Sequence, residues 1–422
     1  MGSLQPAHLS ALELSNHPRP TPPLHPPTHP HERSIGYGNF GEFGPLDIHL
    51  KPRNTTWLQA AHLLFVDSPV GAGYSYVDNP ATQLPKTNAE IAADLVSFLT
   101  SWVASVPEAA STPMYIFCES YGGKMGAQTA AAILAAVDAG KLQVNLKGVA
   151  LGDSWVSGID YVTTWAPFLR TTSIMSEDAK TTHVDPLVKA CEEAVFDGNW
   201  TSATNFWGAV EGAIGQVTNG VNWYNIQNWS CEPLCASPSR GRMTPAGAAL
   251  APPGIDAALL ASAFRTRLAP FLGDPISDLM NGPIRAQLGD IPAGVTWGGQ
   301  SDAVFSTLAG DFMRPVVDVV DALLTDGRVH VTVYEGQVDL ICGTLGAERW
   351  MQRLEWSGMP AFYATPRQAF YAGGDTVNTA GFATVTPGLS LFHILKAGHM
   401  VPADQGAAAL SMVQQIIGAK QQ

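Results

Sequence analysis

The sequence has few charged residues, an excess of acidic over basic ones and no long apolar run. No stretch of its 422 residues is long and apolar enough to cross a bilayer, so no transmembrane helix is predicted. Only 14% of the residues are charged, and 36 Asp and Glu outnumber 23 Lys and Arg, which leaves a formal net charge of −13. Because an acidic average field repels polyanions, we expect no nucleic acid and no membrane among its partners.

Cysteine is also scarce, with five residues in the whole chain. Cys231 and Cys235 have neither a second cysteine pair nor a histidine at ligand spacing, so no metal site and no cofactor is predicted. Cys191 lies in the same middle segment, and these three cysteines allow a disulfide whose pairing the sequence does not assign. Three Asn-x-Ser/Thr triplets fit a glycosylated protein of the secretory route. The triplets begin at Asn54, Asn199 and Asn228.

The first 33 residues differ in composition from the rest of the chain. Residues 17–33 are rich in proline and histidine, and prolines at that density cannot supply the amide donors that a central strand needs. Residues 1–33 are therefore predicted to be disordered or polyproline-like. Residues 1–16 lack the basic flank and the apolar run of a signal peptide, so no targeting signal is predicted in this sequence.

The most informative stretch is 113–126, where a short strand is predicted to turn into a helix at Ser120. Residues 114–117 (Met-Tyr-Ile-Phe) are of strand type, and small, helix-compatible residues follow the serine. A serine at such a turn is typical of a nucleophile elbow, which needs small residues two positions before and after it. Gly122 fits this requirement, and Cys118 is a larger substitute. Taken alone, the fragment favours an ordinary tight turn with a solvent-facing serine.

Two later segments supply the partners that a nucleophilic serine needs, a histidine base and a carboxylate that orients it. Residues 328–334 are predicted to form a β-branched strand, with Asp339 in the loop beyond its end. Residues 389–395 are predicted to form another strand, with His399 in the loop that follows. The chain order serine, acid, histidine is that of the α/β-hydrolases. Because each residue follows the carboxyl end of a strand, this pattern predicts a catalytic triad.

Two other residues near this site are weaker candidates. His393 is a rival base, but its position inside a predicted strand favours a core or surface histidine. Asp404 is a rival acid, but it lies at the start of a predicted C-terminal helix, and we expect it to cap that helix.

The order of predicted elements is that of one large α/β domain with an insertion. Strands and helices alternate over residues 34–159 and 291–422, which indicates a mostly parallel central sheet flanked by helices. Residues 160–290 break this alternation, and we interpret them as an inserted cap. After the insertion, residues 302–324 are predicted to form one helix that leads into the strand before Asp339.

Four blocks of the sequence resemble signatures of the serine carboxypeptidase family. They are Phe-Val-Asp-Ser-Pro-Val-Gly-Ala-Gly-Tyr-Ser-Tyr (65–76), Glu-Ser-Tyr-Gly-Gly (119–123), Gly-Gln-Val-Asp-Leu-Ile-Cys (336–342) and Ala-Gly-His-Met-Val-Pro-Ala-Asp-Gln (397–405). The wording of the segments 37–46, 151–157 and 297–305 is most similar to the retinoid-inducible branch and its plant and algal relatives. The resemblance runs from about residue 35 to the C-terminus.

This resemblance implies an α/β-hydrolase fold and a serine carboxypeptidase that releases C-terminal amino acids from peptides at acidic pH. Ser120 would attack the scissile carbonyl and form an acyl-enzyme, His399 would move the proton, and Asp339 would orient the imidazole. The partners would be peptide or protein C-termini, and the oligomeric state stays unknown. The family also implies the secretory route, with a vacuolar, lysosomal or extracellular destination.

The resemblance implies further roles around the triad. The amide of Tyr121 would be an oxyanion donor, and Met400 and Tyr121 would line the pocket of the leaving residue. Glu42 and Glu119 match two family glutamates that share a proton and hold the terminal carboxylate of the substrate. Two close carboxyls cannot both ionise without a large penalty, so one stays protonated and can donate to an anion. Without the family, Glu42 would be interpreted as a surface acid and Glu119 as a capping residue.

The N-terminal part departs from the family pattern. Where the family has a Gly-Gly-Pro-Gly loop whose amide is the second oxyanion donor, this chain has His-Pro-His-Glu-Arg at 29–33. Proline has no amide to donate, and losing one oxyanion donor typically lowers turnover about 100- to 1000-fold. We therefore expect either a truncated or mis-spliced N-terminus or an inactive binding or scaffold relative. Acyl transfer to an alcohol, as in plant relatives, is a further alternative with the same triad.

Overall fold

The computed structural model describes residues 11–12, 34–228, 254 and 275–418. Two short strands, β1 (Ala11–Leu12) and β2 (Phe65–Val66), pair antiparallel. The other strands are β3 (Pro113–Ser120), β4 (Asn145–Ser154), β5 (His330–Gly336), β6 (Gln368–Phe370), β7 (Gly381–Val385) and β8 (Leu389–Ile394). These six strands form one sheet in the order β3-β4-β5-β8-β7-β6.

The sheet is parallel on one side and antiparallel on the other. Strands β3, β4, β5 and β8 run parallel to one another, β7 is antiparallel to β8, and β6 is antiparallel to β7. Parallel strands bring their carboxyl ends to one edge of the sheet. The residues that follow β3, β5 and β8 are therefore neighbours in space although they are distant in sequence.

Helices flank the sheet and make up much of the described part of the segment between β4 and β5. The α-helices are α1 (Pro80–Gln83), α2 (Asn88–Ser105), α3 (Tyr121–Asp138), α4 (Gly158–Thr171), α5 (Glu177–Ala179), α6 (Asp185–Phe196), α7 (Trp200–Val217), α8 (Pro275–Leu279), α9 (Arg285–Leu288), α10 (Ser301–Leu308), α11 (Val317–Asp326), α12 (Thr344–Met351), α13 (Met359–Ala364), α14 (Val401–Asp404) and α15 (Gly406–Gly418). Short 3₁₀ segments cover Trp57–Gln59 and Pro107–Ala110, and π-helical segments cover Ser34–Phe43, Lys180–Val184 and Met280–Ile284. Within the described ranges, no helix is both long and apolar enough to cross a membrane.

The sheet buries both of its faces, as expected for parallel strands covered by helices. Val331 and Val333 of β5 lie with Leu151 of β4 in a core that includes residues of α3, α4 and α7. Tyr334 of β5 lies in a second core with Phe392 of β8 and residues of α15. Successive residues of β5 therefore belong to opposite faces, which matters for the chemistry at its end.

The predicted fold class, a mostly parallel sheet flanked by helices, is confirmed. The prediction of one helix over residues 302–324 was wrong, because α10 ends at Leu308 and α11 begins only at Val317. Pro315 lies between them. A proline has no amide hydrogen for the helix ladder and disfavours helical backbone at the residue before it, here Arg314.

The segment between β4 and β5 is helical where the structure describes it. Helix α4 begins at Gly158, two residues before the proposed start of the cap, and its Trp165 and Leu169 lie in the same core as the sheet. This part of the insertion is therefore packed directly on the sheet. The division of the chain at residues 160 and 290 stays a prediction.

The cysteines of this segment do not all fit the expected disulfide. Cys191 is a buried free thiol, so it is not a disulfide partner. Burial raises its pKa to about 12, which keeps it neutral. Cys231 and Cys235 lie outside the described residues.

Candidate active site

Ser120 lies at the turn between β3 and α3. Its backbone has φ 60° and ψ −132°, a region that residues with side chains rarely adopt. The turn is tight because the helix approaches β4 closely: a Cβ added at Gly123 would lie 1.9 Å from Oγ of Ser154. Ser120 is 5% exposed, and its carbonyl accepts a hydrogen bond from the amide of Trp155 at 2.8 Å. Such local strain persists only where the surroundings hold it, and it is common at functional sites.

Cys118, the large residue two positions before the serine, fits because Gly126 of α3 leaves space for its sulfur. A Cβ added at Gly126 would lie 2.1 Å from Sγ of Cys118, whereas one at Gly122 would make an ordinary contact of 3.5 Å with Cβ of Cys118. Burial raises the pKa of the Cys118 thiol to about 12, so the sulfur is a neutral packing group. The extra volume of Cys118 is therefore matched by a glycine one turn further along α3.

Asp339 and His399 form a buried pair. Nδ1 of His399 lies 2.7 Å from Oδ2 of Asp339, and both side chains are fully buried. The carboxylate also accepts the amide of Ile341 on Oδ1 at 3.0 Å and the amide of Cys342 on Oδ2 at 3.2 Å. An ionised carboxylate only accepts hydrogen bonds, so this contact selects the tautomer with the proton on Nδ1. Nε2 is then the basic nitrogen of the ring.

The loop that carries His399 is held by Asp404 and by two residues that the sequence did not single out, Tyr224 and Asn225. The amide of His399 donates to the carbonyl of Tyr224 at 2.7 Å, and the two rings lie 5.3 Å apart, centroid to centroid. Oδ2 of Asp404 accepts from the amide of Gly398 at 2.7 Å and from Nδ2 of Asn225 at 2.9 Å. The expectation that Asp404 caps a helix was wrong, because it ends α14 and its carboxylate holds the histidine loop.

His393, the rival base, is a core histidine. It lies inside β8 and is 6% exposed. Burial, with a smaller contribution from Arg367, lowers its pKa to about 4, while Glu348 acts in the opposite direction. The imidazole lies 3.5 Å from the carboxylate of Glu348. This environment keeps His393 neutral and away from the role of a general base near neutral pH.

Glu42 and Glu119 both lie within electrostatic reach of Tyr334. Glu42 is 6% exposed, and burial raises its pKa to about 8, opposed by Arg53 and reinforced by Asp404. Glu119 is half-buried at the end of β3. The pKa of the Tyr334 phenol is raised by burial first, then by Glu119 and then by Glu42. The two glutamates therefore share one neighbourhood beside the elbow.

Tyr334 itself was missed by the sequence reasoning. Its ring packs against β4 at Gly152, where a Cβ added to the glycine would lie only 2.0 Å from Cζ of Tyr334. Glycine inside a strand often marks a place where another group approaches the backbone. Gly152, which lies inside β4, is the signal in the sequence that a bulky neighbour covers the strand there.

Tyr121 and Met400 follow the serine and the histidine directly in the chain. Tyr121 is the first residue of α3, so its amide lies at the positive end of the helix. Its half-buried ring stacks on Phe312 with 5.8 Å between centroids. Met400 is 2% exposed and belongs to an apolar cluster with Phe65 and Trp297.

Among the described residues, one group of possible metal ligands has its ligand atoms close together, and it lies in this same site. Ligand atoms of Asp339, Cys342 and His399 lie within 4.8 Å of one another. The Asp339 carboxylate already accepts hydrogen bonds from two backbone amides and lies against the imidazole. A metal ion here would have to displace the contact between Asp339 and His399, and we assign no metal role to these residues.

Comparison with known proteins gives consistent matches over most of the chain. The family model described as serine carboxypeptidase matches residues 30–419. The chain is similar to the retinoid-inducible serine carboxypeptidases of Mus musculus and Homo sapiens, each 42% identical over 381 residues that cover 90% of this chain and 81% of the relative. Serine carboxypeptidase-like 51 of Arabidopsis thaliana is 36% identical over 407 residues, covering 92% and 83%.

A solved structure shares the fold. The crystal structure of KEX1(delta)p, a prohormone-processing carboxypeptidase from Saccharomyces cerevisiae, superposes with a TM-score of 0.75. The match covers 92% of this chain and 81% of that chain at 18% sequence identity. At this identity the match establishes the architecture, and the chemistry has to be argued from the site.

Proposed function

We propose a mechanism for this chain, which belongs to the serine carboxypeptidase family. Ser120 attacks the scissile carbonyl while His399 accepts its proton. His399 then gives the proton to the leaving amine, and Asp339 orients the imidazole and stabilises its charged form. Water, activated by the same histidine, releases the acyl group from Ser120. The observation that carries the proposal is the buried contact of Asp339 and His399, combined with the strained Ser120 at the same edge of the sheet.

The amide of Tyr121 is proposed as one donor to the oxyanion. It is the residue after the nucleophile and begins α3, so the positive end of that helix favours negative charge beside Ser120. The position where the family has its second donor falls at residues 29–33, outside the described residues. A chain that lacks this donor would turn over about 100- to 1000-fold more slowly than one that has it.

Recognition of the substrate's terminal carboxylate is assigned to Glu42 and Glu119. The pKa of about 8 keeps Glu42 neutral in acidic and neutral solution, where its O–H can donate to an anion. Ionisation above this pH would repel the carboxylate of the substrate. We therefore expect cleavage of free C-termini to be favoured on the acidic side of the Glu42 pKa, with Met400 and Tyr121 lining the pocket of the leaving residue.

The test compares an N-blocked dipeptide that has a free C-terminus with its amidated twin, between about pH 4 and pH 9. We expect cleavage of the free acid, favoured at low pH, and a much weaker reaction with the amide. Ser120→Ala and His399→Ala are the matched variants, and each should remove labelling by an organophosphonate. A folded wild-type chain that neither cleaves the peptide nor takes up the label would refute the assignment.

Neither alternative function gains support from a specific observation. The relatives named above are carboxypeptidases or carboxypeptidase-like by their names, which does not favour a scaffold. Acyl transfer would use the same three residues, so an added alcohol acceptor in the peptide assay is the control. A product in which the alcohol, in place of water, takes up the acyl group would identify a transferase.

Entry into the secretory route is proposed from the family and from the sequons. The side chains of Asn54, Asn199 and Asn228 are all exposed, so each is accessible to a glycan. Asn199 caps α7 through Oδ1, which accepts from the amide of Ser202 at 3.1 Å and leaves Nδ2 for attachment. Expression in a eukaryotic secretory host should give a protein whose mass falls on glycosidase treatment. Unchanged mass would argue against this route.

A further inference from the structure

Asp153 and Glu335 form a buried acidic pair at the ends of β4 and β5. Gly152 is in register with Tyr334, and Asp153 and Glu335 are the next residues of the two strands. Both side chains are fully buried and lie within hydrogen-bonding reach of each other. Asp153 has a left-handed backbone with φ 39°. A buried acidic pair on strained backbone needs a stabilising arrangement around it.

Among the described residues, no cation lies beside this pair to neutralise it. The titratable groups that face it are Glu119 on β3, Tyr161 on α4, Asp339 and Cys342 after β5, Glu348 on α12 and His393 on β8. Burial keeps His393 neutral, and Arg367 pairs with Glu348 at the edge of this region. Two adjacent buried carboxyls without a cation retain one proton between them.

One proton shared between the two carboxyls accounts for their hydrogen bonding. Oδ1 of Asp153 accepts the amide of Gly336 at 2.7 Å, which favours the charged form of Asp153. Among the described residues, no N–H or O–H donor reaches either carboxyl oxygen of Glu335 or Oδ2 of Asp153. A single hydrogen shared between Oδ2 of Asp153 and a carboxyl oxygen of Glu335 satisfies both side chains. Burial is the main reason that the pKa of each group is raised, and the Asp339 carboxylate raises both further.

The pair connects to the triad through Gly336. The carbonyl of Gly336 accepts the amide of Asp339 at 3.2 Å. On its other side, Gly336 contacts the histidine loop so closely that an added Cβ would lie 1.9 Å from the carbonyl oxygen of Gly398. The amide of Val338 donates to the carbonyl of Ala397 at 2.9 Å in the same region. Gly336 is thus the point where the loops of Asp339 and His399 touch, and Asp153 holds it in place.

We propose that Asp153 and Glu335 share one proton and act as positioning residues, which hold Gly336 and thereby keep Asp339 and His399 aligned. This inference rests on the proposed triad. When rising pH removes the shared proton, two like charges face each other beside Asp339, and the contact with Gly336 is weakened. Turnover should then fall on the alkaline side even for substrates without a carboxylate, which separates this effect from titration of Glu42.

The test measures kcat and KM against pH with an N-blocked amino acid ester that has no free carboxylate. Glu335→Gln keeps the donor to Asp153 but cannot ionise. The alkaline limb of its kcat–pH profile, where kcat declines, should therefore shift to higher pH by at least about one unit, with KM unchanged. Asp153→Asn is the second variant, because its amide still accepts from Gly336 and donates to an ionised Glu335. It should flatten the same limb. Glu177→Gln makes the same chemical change at an exposed residue that pairs with Arg170, and it should leave the limb in place.

A second readout does not depend on activity. In the unfolded chain Glu335 has an ordinary pKa, whereas the folded pair keeps its proton to higher pH. The free energy of unfolding of the wild type therefore falls as pH rises. Between about pH 5 and pH 8, the ratio of the unfolding constants of wild type and the double variant Asp153→Asn with Glu335→Gln should change about tenfold per pH unit. A constant ratio would refute the shared proton.

Each remaining outcome is decisive. Superimposable pH profiles for wild type, Glu335→Gln and Asp153→Asn would refute the positioning role, even where the unfolding data support a shared proton. If the folded wild type neither hydrolyses the ester nor is labelled at Ser120, the triad assignment fails and the positioning role fails with it. The unfolding comparison still reports on the shared proton in that case, so the two failures are distinguishable.

Discussion

The substitution Asp339→Asn removes one charge from the buried pair and keeps its shape. The carboxylate accepts the amides of Ile341 and Cys342 at 3.0 and 3.2 Å and lies 2.7 Å from Nδ1 of His399. An asparagine has only one acceptor oxygen. If the NH₂ group takes the place of Oδ1, it faces the amide N–H of Ile341, so that two donors meet without an acceptor. With its NH₂ in place of Oδ2, it opposes the amide of Cys342 and drives the His399 proton to Nε2.

One orientation of the asparagine keeps the tautomer at a cost in free energy, and the other removes the base. A buried donor without an acceptor destabilises by about 1–3 kcal/mol, so the orientation that keeps the tautomer is penalised. The other orientation protonates Nε2, which then cannot accept the proton of Ser120. In a serine protease with this arrangement, the same exchange lowers kcat about 10⁴-fold, or about 5 kcal/mol of activation free energy. We expect a loss of about 10³- to 10⁴-fold in kcat, with little change in KM.

The assay is the acylation burst of an N-blocked amino acid ester, measured by stopped flow on variants whose folding is checked by thermal denaturation. Asp404→Asn is the control, because Asp404 contacts Gly398 and Asn225 but is not hydrogen-bonded to the imidazole. Its loss should stay within about tenfold, since an amide oxygen still accepts from Gly398. A folded Asp339→Asn variant that retains more than about a tenth of wild-type kcat would refute the tautomer argument.

Three further predictions follow from buried contacts. Because the pKa of Glu42 is about 8, kcat/KM for a free-acid dipeptide should fall as pH rises through that value, and Glu42→Gln should abolish this fall; an unchanged profile would contradict it. Gly126→Ala should destabilise by about 1–3 kcal/mol through a clash with Sγ of Cys118, and denaturant titration should show rescue by Cys118→Ala. Lys124→Met should destabilise by up to about 3–5 kcal/mol, because buried Asp311 loses its cation at 3.0 Å and keeps only Arg314 at 4.0 Å; partial recovery in Lys124→Met with Asp311→Asn is the control.

The sequence was sufficient to predict which residues follow the ends of the parallel strands. Ser120, Asp339 and His399 were found because each follows a strand whose apolar pattern is local, and because parallel strands end at one edge of the sheet. Tyr224 and Asn225 were not found. Asn225 contacts Asp404 across 179 positions of the chain, and neither residue lies in a pattern with a strand or helix period. Contacts made by irregular segments depend on tertiary packing, which periodicity does not report.

The acidic pair shows how a small error in a strand boundary changes a chemical prediction. The sequence pattern predicted that the strand ends at Tyr334, which leaves Glu335 in a loop, where an acid is hydrated and ionised. The structure extends β5 to Gly336. Because successive strand residues face opposite sides of a sheet, Tyr334 then reaches Glu42 and Glu119 on one face, and Glu335 enters the other core against Asp153. Two more residues of strand therefore turn a surface acid into a buried one that needs a proton.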